Sequence, residues 1–215
     1  MFNKLLGIVI PAVLAVSAGA RTLPDPAVDM DRGAEPHKDT AVFAGGCFWG
    51  VEAVFEQLAG VDKVLVGYAG GDAKSAHYEI VSTGRTGHAE SVEITYDPTK
   101  ITYGQLLKVF FAVAHDPTEK DFQGPDYGHQ YRSAIFYRDD EQKKIAAAYI
   151  QQLDDAKVFG KPIVTEVTAL SHFYPAEAHH QQFVKHNPNY PYVVYNDLPK
   201  LAKLRKDFAP LVKKQ

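Results

Sequence analysis

From Thr40 to Leu170 the spacing of apolar residues alternates between the period of a strand and that of a helix, which limits the possible folds more than any other feature. "TAVFAGG" is a short apolar run closed by glycines, the mark of a buried strand. Val51, Val54, Phe55 and Leu58 then fall at i, i+3, i+4 and i+7, one face of a helix that Gly60 stops. "VDKVLVGYAGG" reads as a second strand. In "AESVEITYDP", a third, Val92, Ile94 and Tyr96 alternate with Ser91, Glu93 and Thr95 until Asp97 and Pro98. Thr102 and Gln105 match a capping box that opens a helix through "YGQLLKVFFAVA", with Leu106, Phe110 and Val113 at helical spacing. "YRSAIFY" is a fourth strand. "DDEQKKIAAAYIQQLDDAKV", acidic at its start, puts Ile145, Tyr149 and Leu153 on one side of a helix, and "PIVTEVTAL" is a further strand. The order strand, helix, strand, strand, helix, strand is that of the split βαβ unit, with one helix and one strand appended. The expected fold is therefore α+β: a two-layer, ferredoxin-like mixed sheet with packed helices. From Ser171 the chain is aromatic, His-rich and broken by prolines, and is expected as a long C-terminal coil before a basic terminal helix near 198–213.

What precedes Thr40 has a different character. "MFNKLLGIVIPAVLAVSAGA" carries Lys4, an apolar run and then Ala18 and Ala20 in an A-x-A pattern, the layout of a secretory signal peptide, with an uncleaved anchor as the alternative. Residues 21–39, rich in Pro, Asp and Gly, read as a flexible lead-in to one catalytic domain over 40–215. A periplasmic or secreted location follows. No later stretch approaches the roughly 18 apolar residues that span a bilayer, so no membrane association is expected after cleavage. The formal charge of -3 lacks the basic excess of a nucleic-acid module, and no nucleic-acid partner is expected.

Cys47 is the only cysteine, so no disulfide can form within one chain. In an exported protein an odd thiol suggests a reactive or intermolecular role, although a buried, inert cysteine is the common alternative. Cys47 stands between the first strand and the first helix, where free backbone N–H groups and the positive end of the helix dipole favour thiolate. A thiol pKa below the free value is the expectation. Gly45 and Gly46 would leave the sulfur uncovered, or simply make a turn. Phe48 and Trp49, roughly 100° apart around the helix, cannot both enter one core face, so one is expected to wall a pocket. Counting by twos from Tyr96 through Ile94 and Val92 turns Glu90 inward, unless the strand starts one residue later. A buried carboxyl without a cationic partner keeps its proton and can act as a general acid. His172, His179, His180 and His186 with Glu177 lack a tight ligand spacing, and no metal site is expected. A Cys-His hydrolase with His88 or His129 as base is a rival reading, and a non-catalytic binding module another.

"GCFWG", "GYAGG", "GRTGHAE" and "GPDYGHQYRSAIF" occur in that order. Together they resemble the A-type peptide methionine sulfoxide reductases (MsrA) from about Thr40 to about Asn189. The resemblance implies reduction of methionine S-sulfoxide, protein-bound or free, to methionine, an oxidative-damage repair reaction. It implies Cys47 as the nucleophile that becomes a sulfenic acid, and Glu90 as the acid. Tyr78 and Tyr131 would be hydrogen-bond donors to the sulfoxide oxygen, with Asp126 in the same polar set. Phe48 and Trp49 would be the apolar walls for the methyl group. Many relatives carry one or two resolving cysteines in the C-terminal coil, and this chain has none. The expectation is a monomer without bound cofactor, recycled by an external thiol such as a thioredoxin-like protein or glutathione, or by dithiothreitol in vitro.

Overall fold

The computed structural model describes residues 23–214, so the signal segment 1–20 lies outside the described residues. Strand β1 (Asp39–Gly45) leads into helix α1 (Phe48–Glu56), and β2 (Val61–Ala69) follows. A short helix α2 (Tyr78–Val81) precedes β3 (Ala89–Tyr96) and helix α3 (Tyr103–Val109). A two-residue pair, β4 (Phe122–Gln123) and β5 (Asp126–Tyr127), comes before β6 (Ser133–Tyr137) and the long helix α4 (Asp140–Asp155). The chain ends through β7 (Glu166–Ala169), β8 (Phe173–Pro175), α5 (Phe183–His186) and α6 (Leu198–Asp207).

The fold is α+β, built on a six-stranded mixed sheet in the order β7-β6-β1-β3-β2-β8. Every neighbouring pair is antiparallel except β6 with β7. Period-two alternation separates the two faces of β1. Ala41 and Phe43 enter the main core, while Val42 and Ala44 join a smaller cluster with Ala69, Ala89, Ala134 and Phe136. Phe43 is central: its ring lies 5.7 Å from Phe55 of α1, 5.8 Å from Tyr103 of α3 and 5.0 Å from Phe110. Burying an aromatic of this size contributes roughly 1.5–3 kcal/mol, so the strand and both helices are fixed through one side chain.

The capping box opens α3. Thr102 Oγ1 accepts from the Gln105 N–H at 3.1 Å, and Gln105 Oε1 accepts from the Thr102 N–H at 3.0 Å. The helix then loosens into a π turn over Phe110–Ala114. On α4, Ile145, Tyr149 and Leu153 are buried on one side.

Three expectations need correction. The stretch after Ser171 is not coil throughout. Phe173–Pro175 adds β8 to the sheet edge through Gly67↔Pro175, Tyr68↔Tyr174 and Ala69↔Phe173, and short helical turns follow. The terminal helix stops at Asp207, and the end of the chain folds back so that Val212 bridges Leu58. Finally, the lead-in lies along the domain from Leu23 to Met30. Tyr149 Oη donates to the Pro24 carbonyl at 2.8 Å, and Asp29 accepts from Thr102 Oγ1 at 2.5 Å and the Gly104 N–H at 2.8 Å. Leu23 is buried in the main core, which gives this otherwise polar segment an apolar anchor. Among the described residues no helix is long and apolar enough to cross a membrane.

Candidate active site

The turn between β1 and α1 delivers Cys47 to the helix N-cap. Gly46 sits at φ +86°, and a Cβ there would lie 2.7 Å from Gln123 Cβ, so both conformation and space require glycine. Cys47 is only 8% exposed. The Phe48 N–H, one of the free donors of the first turn, is met at 3.1 Å by Glu90 Oε2. Glu90 opposes Tyr68 in the β2–β3 pairing and is 3% exposed, facing inward as the count by twos required. Burial pushes its carboxyl up to about 8; the Phe48 N–H opposes this, and the Asp126 charge adds to it.

The expected low thiol pKa is overturned. Burial raises the Cys47 thiol well above 9.0, and the charges of Glu90, Asp197 and Asp126 push the same way; only the hydrogen bond from the Trp49 N–H favours thiolate. The helix end is present, but low-dielectric surroundings and three carboxylates outweigh it.

Tyr78, at the start of α2, is tied by its backbone N–H to Glu177 Oε1 at 3.0 Å. Burial raises its phenol pKa, with Glu90, Cys47 and Asp126 adding their charges. Tyr131 is raised by burial and by the same three groups, so both phenols are neutral hydrogen-bond donors within the field of the thiol and the acid. Asp126 accepts a short hydrogen bond from Tyr192 Oη. Burial raises the Asp126 carboxyl, while Tyr192 and Lys200 lower it.

Phe48 and Trp49 differ in burial, and both pack on the main core. Phe48 is fully inside, 6.0 Å from the Tyr68 ring. Trp49 is half-buried; it stacks on Phe183 with centroids 3.8 Å apart and meets Tyr192 edge-on at 6.0 Å. Its indole N–H donates to His180 Nδ1 at 3.2 Å, and the His180 ring lies 4.4 Å from that of Tyr78.

The sequence reading missed Tyr192, Phe183, Asp197 and Glu52, and treated His180 only as a candidate metal ligand. Glu52, one turn along α1 from Phe48, is buried, and both its oxygens accept from the Gln182 N–H at 3.0 and 2.9 Å. It thereby holds the segment that carries Phe183 against Trp49. Asp197 is fully buried, with neither oxygen hydrogen-bonded. A Cβ on Gly50 would stand 2.2 Å from Asp197 Oδ1, so the carboxyl presses on the first turn of α1. An inward acid in a helix was the available signal for Glu52; nothing in the C-terminal spacing pointed to the others.

The histidines of the hydrolase reading do not meet the sulfur. His88 Nε2 bonds the Asp72 carbonyl at 3.0 Å, and His129 pairs with Asp121 at 2.9 Å. His115 shares a cavity with Cys47, but burial lowers it to about 3 and both its nitrogens are engaged, by the Phe110 carbonyl and Ser133 Oγ. Among the described residues no group of three or more His, Cys, Asp or Glu is arranged to hold a metal ion.

Residues 39–211 match the family model described as peptide methionine sulfoxide reductase. The chain belongs to this family, in its A-type branch. The MsrA 2 protein of Mesorhizobium japonicum is 60% identical over 85% of this chain and 93% of its own length. The MsrA 2 protein of a Synechocystis species is 51% identical over 93% and 94% of the two chains. Among solved structures, reduced Mxr1 of Saccharomyces cerevisiae superposes with a TM-score of 0.67 at 33% identity, covering 71% of this chain and 87% of that one. Methionine sulfoxide reductase A of Corynebacterium diphtheriae gives 0.61 at 38% identity, covering 77% and 82%. The activity is that of a peptide-methionine (S)-S-oxide reductase, an oxidoreductase of protein repair, and the family draws its electrons from thiols.

Proposed function

We propose that Cys47 attacks the sulfur of methionine S-sulfoxide, protein-bound or free, and takes its oxygen, and that an external thiol then restores it. The balance is Cys47–SH plus sulfoxide giving Cys47–SOH plus methionine: the S–O bond of the sulfoxide breaks, and the thiol sulfur is oxidised to sulfenic acid. At neutral pH both Cys47 and Glu90 hold their protons, so the thiolate is made during the reaction. As sulfur meets sulfur, the sulfoxide oxygen takes the Glu90 proton, and the carboxylate left behind receives the thiol proton. The supporting observation is the inward Glu90 carboxyl, held on the N–H of the residue after Cys47 and raised to about 8. Tyr78 and Tyr131 donate to the same oxygen, Asp126 completes the polar rim, and Phe48 with Trp49 encloses the methyl group.

With one cysteine in the chain, the sulfenic acid has no internal thiol to condense with. The reductant is a separate molecule, and a protein thiol of the thioredoxin type or a small thiol meets the chemical need. The signal-like first twenty residues make the site of action periplasmic or extracellular. One copy suffices for this chemistry, in one domain whose β6-β1-β3-β2 order we read as a split βαβ core.

The test supplies separate S and R epimers of methionine sulfoxide with dithiothreitol; only the S form should disappear. Without a thiol, about one methionine per Cys47 and a dimedone-reactive sulfur should form. Consumption of the R form, or continued turnover without thiol, contradicts the reading.

A further inference from the structure

Cys47 lines a cavity of about 420 Å³ shared with Gln123, Asp126, Tyr192, Lys200 and Lys203. None of Phe48, Trp49, Tyr78 and Glu90 lines it, while Asp126 and Tyr192 stand between it and the aromatic wall, Tyr192 edge-on to Trp49 at 6.0 Å. Its volume falls in the range of small-molecule sites, roughly 300–1,000 Å³. Its charged lining residues are Lys200 and Lys203 with Asp116, Glu119 and Asp126. Lys200 and Lys203 come from α6; Asp116 and Glu119 come from the loop after the π turn. Lys200 forms no ion pair among the described residues, although its Nζ lies 3.2 Å from where a Cβ on Gly50 would stand, over the first turn of α1. Lys203 pairs with Asp207 at 2.5 Å. The two carboxylates are occupied only by their own loop: Asp116 accepts from the Thr118 N–H at 2.9 Å, and Glu119 from the Gly124 N–H at 3.0 Å.

We propose that this cavity is the entry site of the regenerating thiol, and that it suits a small thiol carrying both carboxylate and ammonium groups, of amino-acid or short-peptide type. The carboxylate meets Lys200 and Lys203, the ammonium meets Asp116 and Glu119, and the sulfur reaches Cys47 between Gln123 and Tyr192. The inference rests on the external-thiol cycle above and adds its direction. Displacement at a sulfenic sulfur is in line, so the incoming sulfur approaches away from the departing oxygen. That oxygen arrives on the Glu90 side, and Glu90 does not line the cavity. The first thiol forms Cys47–S–S–R as the S–O bond breaks, its proton leaving with the hydroxyl as water. A second thiol attacks the outer sulfur, giving R–S–S–R and Cys47–SH.

The test uses the full-length protein with its sulfenic acid formed by one equivalent of methionine S-sulfoxide or, separately, of hydrogen peroxide. Regeneration rates are compared for cysteine, 3-mercaptopropionate, uncharged 2-mercaptoethanol and cationic cysteamine, each scaled for its thiol pKa. 3-Mercaptopropionate and cysteamine, with one matching charge each, should exceed 2-mercaptoethanol by about five-fold, as one modest ion pair allows, and cysteine, with both, should exceed either. Lys200→Gln, or the exposed Lys203→Gln, should shrink the ratio of 3-mercaptopropionate to 2-mercaptoethanol within a single sample and leave that of cysteamine, quantities that a general loss of activity does not move. A flat ratio in the parent protein, or the same 3-mercaptopropionate ratio in both variants, overturns the entry site. Failure of the sulfoxide to form the sulfenic acid strikes the reductase cycle instead, and the peroxide arm keeps the two failures apart.

Discussion

Glu90→Gln removes one buried ionisable group and keeps its shape, since an amide oxygen can still accept from the Phe48 N–H that now lies 3.1 Å from Oε2. The carboxyl is raised from 4.5 to about 8 by burial, so the unfolded chain releases this proton near 4.5 while the folded protein keeps it until about 8. Between those values the unfolded state binds fewer protons, and stability falls as pH rises, by about 1.4 kcal/mol per unit. The integrated cost is about 1 kcal/mol at pH 5 and about 3 kcal/mol at pH 7, levelling off above pH 8. Glutamine has no proton to lose. In urea unfolding across pH 5–8, the stability of Glu90→Gln relative to the parent should therefore climb by about 2 kcal/mol from pH 5 to pH 7. A new amide N–H without a partner would shift that difference by a constant of about 1–3 kcal/mol, but it leaves the slope untouched, so the slope is the quantity to compare. Glu52, also raised to about 8 by burial, contributes a slope of the same sign, so the variant keeps part of the parent's pH dependence. Sulfoxide reduction at neutral pH should fall by roughly 10²–10⁴-fold in the same variant. A stability difference that is flat between pH 5 and 8 means that the folded carboxyl is already ionised, and the proton-donor role of Glu90 goes with it.

The Cys47 thiol, followed by alkylation rate against pH, should titrate above 9 in the parent and lower in Glu90→Gln, because Glu90 carries the largest charge acting on it; equal values in the two proteins would remove that coupling. Glu52→Ala should leave the half-buried Gln182 N–H without its acceptor, at a cost of about 1 kcal/mol, and loosen Phe183 from Trp49. Trp49 is the only tryptophan, so its emission should move to the red while KM for the sulfoxide rises more than kcat falls; an unmoved emission maximum counts against the tether.

Regular spacing made β1, β2, β3 and helices α1, α3 and α4 legible, because a strand or helix of seven or more residues declares which side it buries: Phe43, Ile94 and Tyr149 lie where the periods put them. The two-residue pair β4–β5 and the three-residue β8 carry no period to read, and Pro175 argues locally against a strand; β8 exists because the edge of β2 offers it a partner. The site divides the same way. Glu90 follows from counting by twos along β3, and Cys47 at a helix start follows from the change of period. Tyr192, Asp197, Lys200 and Phe183 come from a stretch whose position is decided only when it packs on α1. The thiol pKa shows what such distant contacts can do. Adjacent residues supply a helix end that favours thiolate, whereas β3, β5 and the turn before α6 supply burial and three carboxyls that reverse it. A sulfur that is protonated at rest cannot be a standing nucleophile. In the cycle we propose it loses its proton when an acceptor arrives, and a sulfoxide oxygen taking the proton of Glu90 makes that acceptor, so the residue whose charge most raises the thiol pKa would also be the one that lets the thiol react.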